Sequence, residues 1–127
     1  MTQSCKESKY QGQVKVGTYA TVPSNSAAQL KAAIAKQPIS VTVEADTAVF
    51  QQYTSGIVDS AACGTNLDHA ITAVGYGTDS ASGLDYYIVR NSWGSSWGNA
   101  GYINIAAVEN TIGICGIQQI SVYPTTN

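Results

Sequence analysis

The sequence predicts a mainly β domain: a twisted antiparallel sheet, curled toward a partly closed barrel and carrying one helix. Three observations support this. Several short apolar runs, each bounded by Gly, Pro, Asn or Ser, have strand rather than helix length. Only one segment, early in the chain, shows a one-sided apolar stripe at helical period. Twelve Gly and eight Tyr among 127 residues, with 44% apolar content, suit a turn-rich globular domain and contradict disorder.

Residues 1–12 are polar, with two Lys and one Glu. They show neither period and read as a tail or crossover segment, leaving 13–127 as the domain. From Gln13 the pattern Val14, Val16, Tyr19, Val22 is strand-like, interrupted by Gly17 and stopped at Pro23. Ser24-Asn25-Ser26 supplies capping chemistry, and Ser26 with Gln29 makes a capping box. Leu30, Ala33 and Ile34 then line one face of a helix over Ala27–Lys36, which Gln37-Pro38 ends.

Ile39-Ser40-Val41-Thr42-Val43-Glu44 alternates as a strand with one dry face should. Ala48–Tyr53 predicts a helical turn broken by Ser55-Gly56. After a loop at Cys63-Gly64, one strand runs from His69 to Tyr76-Gly77. A surface loop at Thr78–Gly83 leads into the strand Leu84–Arg90. Tyr102–Ala106 and Ile117–Val122 are two further short strands, around a turn at Asn110–Gly116.

Composition excludes some partners. Charged residues are 11% of the chain, the net charge is −2 and no Lys/Arg cluster occurs, which argues against nucleic acid or an anionic membrane. No apolar run reaches the roughly 18 residues of a transmembrane helix. Met1 to Glu7 lack the apolar core of a signal peptide. No Asn-x-Ser/Thr sequon occurs.

Candidate chemistry centres on the only histidine, His69. A lone His is more often a hydrogen-bonded structural residue than a catalytic one. Here, however, His69 opens one apolar run and Asn91 ends another, so adjacent strands would bring the two side chains together. An imidazole needs a partner on one ring nitrogen to fix what the other presents, and an Asn carbonyl supplies it without adding charge. Trp93, two residues on, would shield that bond from water.

Asp68-His69-Ala70, Asn91-Ser92-Trp93-Gly94, Trp97-Gly98, Gly101-Tyr102 and Cys115-Gly116 resemble the carboxy-terminal half of papain and cathepsin L-like cysteine peptidases. The match keeps the family's order from about Cys5 to Pro124. It implies the His/Asn-bearing lobe of an endopeptidase that hydrolyses internal peptide bonds by a Cys-His-Asn mechanism. His69 would pair with a thiolate and then protonate the leaving amine, while Asn91 orients the ring. Trp93 would cover their bond, and Asp68 would add a field outside the triad.

The family's nucleophile lies in a Cys-Gly-Ser-Cys-Trp type stretch with a Gln upstream, and this sequence contains neither. The expected partner is therefore a Cys-bearing lobe, and the chain alone is expected to be inactive. By the resemblance Cys63 and Cys115 are bridged, and Cys5 pairs with a cysteine of the other lobe. The alternative is three reduced cysteines in a cytosolic protein.

No cofactor or metal is implied. Matched to the family position by position, the resemblance implies that the pocket for the side chain two residues before the cut would be walled by Thr42, Leu67, Ala70 and Ile120, with Val122 nearby. Lacking an acid, it would favour Leu, Val or Phe over Arg. The family's secretory route implies a lysosomal, vacuolar or secreted location, with signal and propeptide upstream.

Two departures from the family pattern touch nothing catalytic: Asn99 stands where an acid is common, and Arg90 where Lys is frequent. Two other functions compete. One is a non-catalytic papain-like binding or structural module. The other is a self-sufficient hydrolase using Ser or Asp with His69, which lacks a nucleophile-elbow motif.

Overall fold

Ile39, Val41 and Val43 are fully buried while Ser40 between them is exposed, so the predicted alternation does set the middle of the sheet. The computed structural model describes residues 4–126. The first three residues of the predicted tail, and Asn127, lie outside them. Among the described residues there are seven strands: β1 (Thr18–Thr21), β2 (Ile39–Val43), β3 (Ile57–Val58), β4 (His69–Thr78), β5 (Asp85–Arg90), β6 (Tyr102–Ala106) and β7 (Ser121–Thr125). The helices are α1 (Ala27–Ile34) and the single turn α2 (Ala48–Gln51).

All seven strands join one sheet in the order β1-β7-β2-β4-β5-β6-β3. Every neighbouring pair is antiparallel except β3 and β6, which run parallel. The sheet is therefore mixed rather than purely antiparallel. It does not close, since β1 and β3 are its edges. Ile71, Ala73, Tyr87, Val89, Ile103 and Ile105 carry the core across β4, β5 and β6. The β4–β5 register slips between Ala73 and Gly75. A Cβ at Gly77 would sit 3.0 Å from the Tyr86 ring, so Gly-Tyr-Gly here leaves room for the side chains of β5.

Helix α1 begins as its cap predicts: the Ser26 hydroxyl accepts the Gln29 amide at 3.3 Å. A distant acid completes the first turn. The Glu109 carboxylate accepts the Ala28 amide at 2.8 Å and the Ser26 hydroxyl at 2.9 Å. Those two donors, the amide foremost, hold the Glu109 carboxyl below the usual carboxylate range. A depressed folded-state pKa stabilises the fold above the unfolded-state value, and that stabilisation disappears as pH falls through the folded value. Thermal midpoints of wild type and Glu109→Gln should thus differ at neutral and mildly acidic pH and converge in strong acid. A difference unchanged down to strong acid would refute this tie.

Two strands differ from expectation. β1 is only four residues long, and Val14 and Val16, expected to begin it, are 75% and 60% exposed. The last strand starts at Ser121 rather than Ile117 because Gln118, 3% exposed, holds its backbone in a turn. Its amide side chain donates to the carbonyls of Val108 and Thr111 at 2.9 and 2.8 Å, and its oxygen accepts the buried Tyr87 hydroxyl at 2.9 Å. Ile117 is buried from that turn without joining the sheet. Helix α1 stops at Ile34, two residues before the expected Lys36.

Candidate active site

His69 sits at the first position of β4, opposite Val43, the last residue of β2. The loop before it is fixed from both sides. The Asp68 amide donates to the Val43 carbonyl at 3.1 Å, and in return the Asp68 carboxylate accepts the Ala45 amide at 2.8 Å. Glu44, 8% exposed, accepts the Asn66 amide through its carboxylate. Its own amide donates to the Cys115 carbonyl at 2.9 Å. Gly64 adopts φ +77°, and a side chain there would run into the Glu44 carboxylate, so glycine is required on two counts.

The Cys63–Cys115 disulfide, with a Cα separation of 4.8 Å, anchors the start of this loop to the segment before β7. Cys5 is free and exposed. The Cys63–Cys115 bridge is the one the resemblance implied, and Cys5 has no disulfide partner among the described residues.

Asn91 arrives from the other direction. Strand β5 ends with Arg90 opposite Thr72 of β4, which brings the next residue alongside the start of β4. The Asn91 amide donates to the Gly101 carbonyl at 2.9 Å. Its side-chain oxygen lies 2.9 Å from His69 Nε2 and accepts the Ser92 amide at 2.7 Å. The Ser92 N–H settles which end of the carboxamide is oxygen, and an oxygen facing Nε2 requires that nitrogen to carry its proton. Nδ1 is then the ring nitrogen left unprotonated in the neutral imidazole. Asn91 is 7% exposed, and its Nδ2 has no hydrogen-bond partner among the described residues.

Trp93 stacks on the imidazole, with ring centroids 5.2 Å apart at 27°. It is 40% exposed, so the roof is open on its outer side. Phe50 of α2, the only Phe of the chain and fully buried, supports it. Phe50 meets Trp93 edge to face at 5.5 Å, stacks on Trp97 at 5.2 Å and turns an edge toward His69 at 6.4 Å. The Trp97 indole N–H donates to the Gln51 carbonyl at 3.0 Å, fixing α2 beneath both indoles. Neither Phe50 nor Glu44 stands out from the sequence as a site residue; Glu44 reads there only as the end of a strand. Their signals were a lone Phe on a predicted helical turn and an acid directly after a dry strand face.

Of the residues expected to bind substrate, Thr42, Ala70 and Val122 share one face of β2 and its neighbours, while Leu67 and Ile120 lie outside the strands. Thr42 lies opposite Ala70 and its amide donates to the Ile120 carbonyl at 3.1 Å. Val122 lies opposite Ser40, two positions along the same face. Ile120 is 54% exposed, and Leu67 approaches Gly116 near the bridge. Among the described residues no group of three or more His, Cys, Asp or Glu could hold a metal ion, and no helix is long and apolar enough to cross a membrane.

Comparison with known proteins places the chain in one class: cysteine-protease domains. A family model described as papain family cysteine protease matches residues 1–125. The probable cysteine protease RD21B of Arabidopsis thaliana is 53% identical over 87% of this chain and 24% of its own length. Chymopapain of Carica papaya is 48% identical over 87% of the chain and 31% of its length.

Among solved structures, the bromelain protease of Ananas comosus superposes with a TM-score of 0.89 at 47% identity, over 98% of this chain and 57% of that one. A cysteine protease of Carica candamarcensis gives 0.85 at 42% identity, over 98% and 56%. The chain belongs to the papain family of cysteine proteases. It matches the carboxy-terminal portion of the curated relatives and spans about a quarter to a third of their length.

Proposed function

We propose that this chain is the His/Asn-bearing half of a cathepsin L-like endopeptidase, with His69 and Asn91 completing a catalytic set whose thiol comes from a partner lobe. The observation that carries this reading is the doubly anchored Asn91 oxygen, which commits the Nε2 proton of His69 inward and frees Nδ1. A protonated imidazole beside a thiol stabilises the thiolate. Attack on a peptide carbonyl then forms the acyl-enzyme as the ring gives its proton to the departing amine. Neutral again, the ring takes a proton from the water that releases the acyl group.

Trp93 keeps water off the His69–Asn91 bond. Asp68 contributes charge nearby, with one oxygen occupied by the Ala45 amide. Cys5 is assigned to a bridge with the partner lobe. Thr42, Leu67, Ala70, Ile120 and Val122 would line the apolar subsite two residues before the cut. The disulfide and the family's habit support a vacuolar, lysosomal or secreted setting.

The chain alone should hydrolyse nothing, since an acid–base pair without its nucleophile has no covalent route. Combined with a separately produced Cys-bearing lobe, it should cleave peptides and take up a thiol-directed active-site reagent. Peptides with Phe two residues before the cut should be turned over about tenfold faster than those with Arg, because a guanidinium there would be desolvated unpaired. An inert assembly would favour the non-catalytic binding module. Equal turnover of Phe and Arg peptides would reject the subsite assignment alone.

A further inference from the structure

Along the β2–β4 pairing, the two sides of His69 differ in chemistry. Toward Ala70 and Thr42 lies the apolar face assigned above to the acyl half of a substrate. Toward Asp68 and the end of β2 lies an open pocket lined by Ala45, Asp46, Gln51, Asp68, His69 and Trp93. If the acyl half occupies the first side, the departing amine and the residue behind it must occupy the second. His69 protonates that amine, so the pocket is in contact with the reacting groups.

Two carboxylates line this pocket and no Lys or Arg does. Asp68 spends one oxygen on the Ala45 amide. Asp46 is exposed, and the one ion pair among the described residues is Lys31 with Asp85, so Asp46 has no cationic partner there. Trp93 adds an exposed indole to which a cation is attracted. In the hydrolytic reading above, the charge of an imidazolium at His69 would be offset by the thiolate beside it, which leaves the two carboxylates uncompensated.

We propose that Asp46 makes this pocket selective for a Lys or Arg immediately after the scissile bond. The inference rests on the hydrolytic reading above and adds a substrate class to it. Both carboxylates stay near water, so the attraction is worth a few-fold per charge and is screened by salt.

The test uses the full-length, two-lobed protein and three internally quenched peptides that differ only after the cut, carrying Arg, Ala or Glu. The expected order of kcat/KM is Arg, Ala, Glu, with about a tenfold span at low ionic strength that shrinks toward unity near 1 M salt. Within Asp46→Asn the Arg/Glu ratio should fall several-fold, and Asp46→Lys should invert the order. Asp46 is exposed, so a thermal midpoint close to wild type will show that both variants fold. Equal rates for the three peptides, or an unchanged ratio in Asp46→Asn, would overturn the subsite and leave the hydrolytic reading intact. Failure to cleave any of the three would defeat the hydrolytic reading and the subsite with it.

Discussion

In the proposed two-lobed enzyme, His69→Ala should lower kcat/KM by about 10⁴-fold, the upper range for a positioned acid–base group. The loss has two parts. No imidazolium remains to hold the thiolate, so the nucleophile reverts toward an ordinary thiol pKa of about 8.5 and is under roughly 1% ionised at pH 6. No acid remains to protonate the amine either.

Asn91→Ala should cost less, about 10²-fold, because the ring stays under Trp93 but either nitrogen can then carry the proton. The two variants should separate in a second measurement, thiol alkylation against pH. His69→Ala abolishes labelling below neutral pH, whereas Asn91→Ala retains part of it. Retention of wild-type activity by His69→Ala would end the catalytic assignment. Identical alkylation profiles for the two variants would deny Asn91 its separate orienting role.

Loss of the Cys63–Cys115 bridge should be the most damaging single change to stability. The cysteines lie 52 residues apart, and the chain-entropy relation gives about 4 kcal/mol for a loop of that size. The closed segment contains β4, β5 and β6, hence both His69 and Asn91. For the double variant Cys63→Ala/Cys115→Ala, denaturant titration should report that loss, and the thermal midpoint should fall by roughly 10–20 °C. A change below about 1 kcal/mol would mean that the clamp around Glu44 and Asn66 already holds the loop without the covalent tie.

What the sequence revealed, and what it hid, divides along one physical line. His69 and Asn91 were legible because each stands at the end of an apolar run, where strand pairing brings chain ends together. The alternation of Ile39, Val41 and Val43, and the stripe of Leu30 and Ile34, report burial within a few residues.

Glu109 and Gln118 gave no such signal. Each acts through side-chain bonds that carry no period: Glu109 on one amide 81 residues away and one hydroxyl 83 residues away, Gln118 on Tyr87 and two carbonyls. The parallel pairing of β3 with β6 was likewise illegible, because two residues are too few to alternate. Phe50 lay between the two cases. Its helical turn was readable, but its contact with two indoles more than forty positions on was not.

Thr18 of β1 lies opposite Thr125 of β7, so polypeptide joined at either end departs from the same corner of the sheet. Tension between the two ends would peel the β1–β7 ladder apart one rung at a time, with no group of rungs sharing the strain. Under mechanical pull this corner should yield first, while the imidazole and carboxamide, held on β4 and after β5, keep their registry.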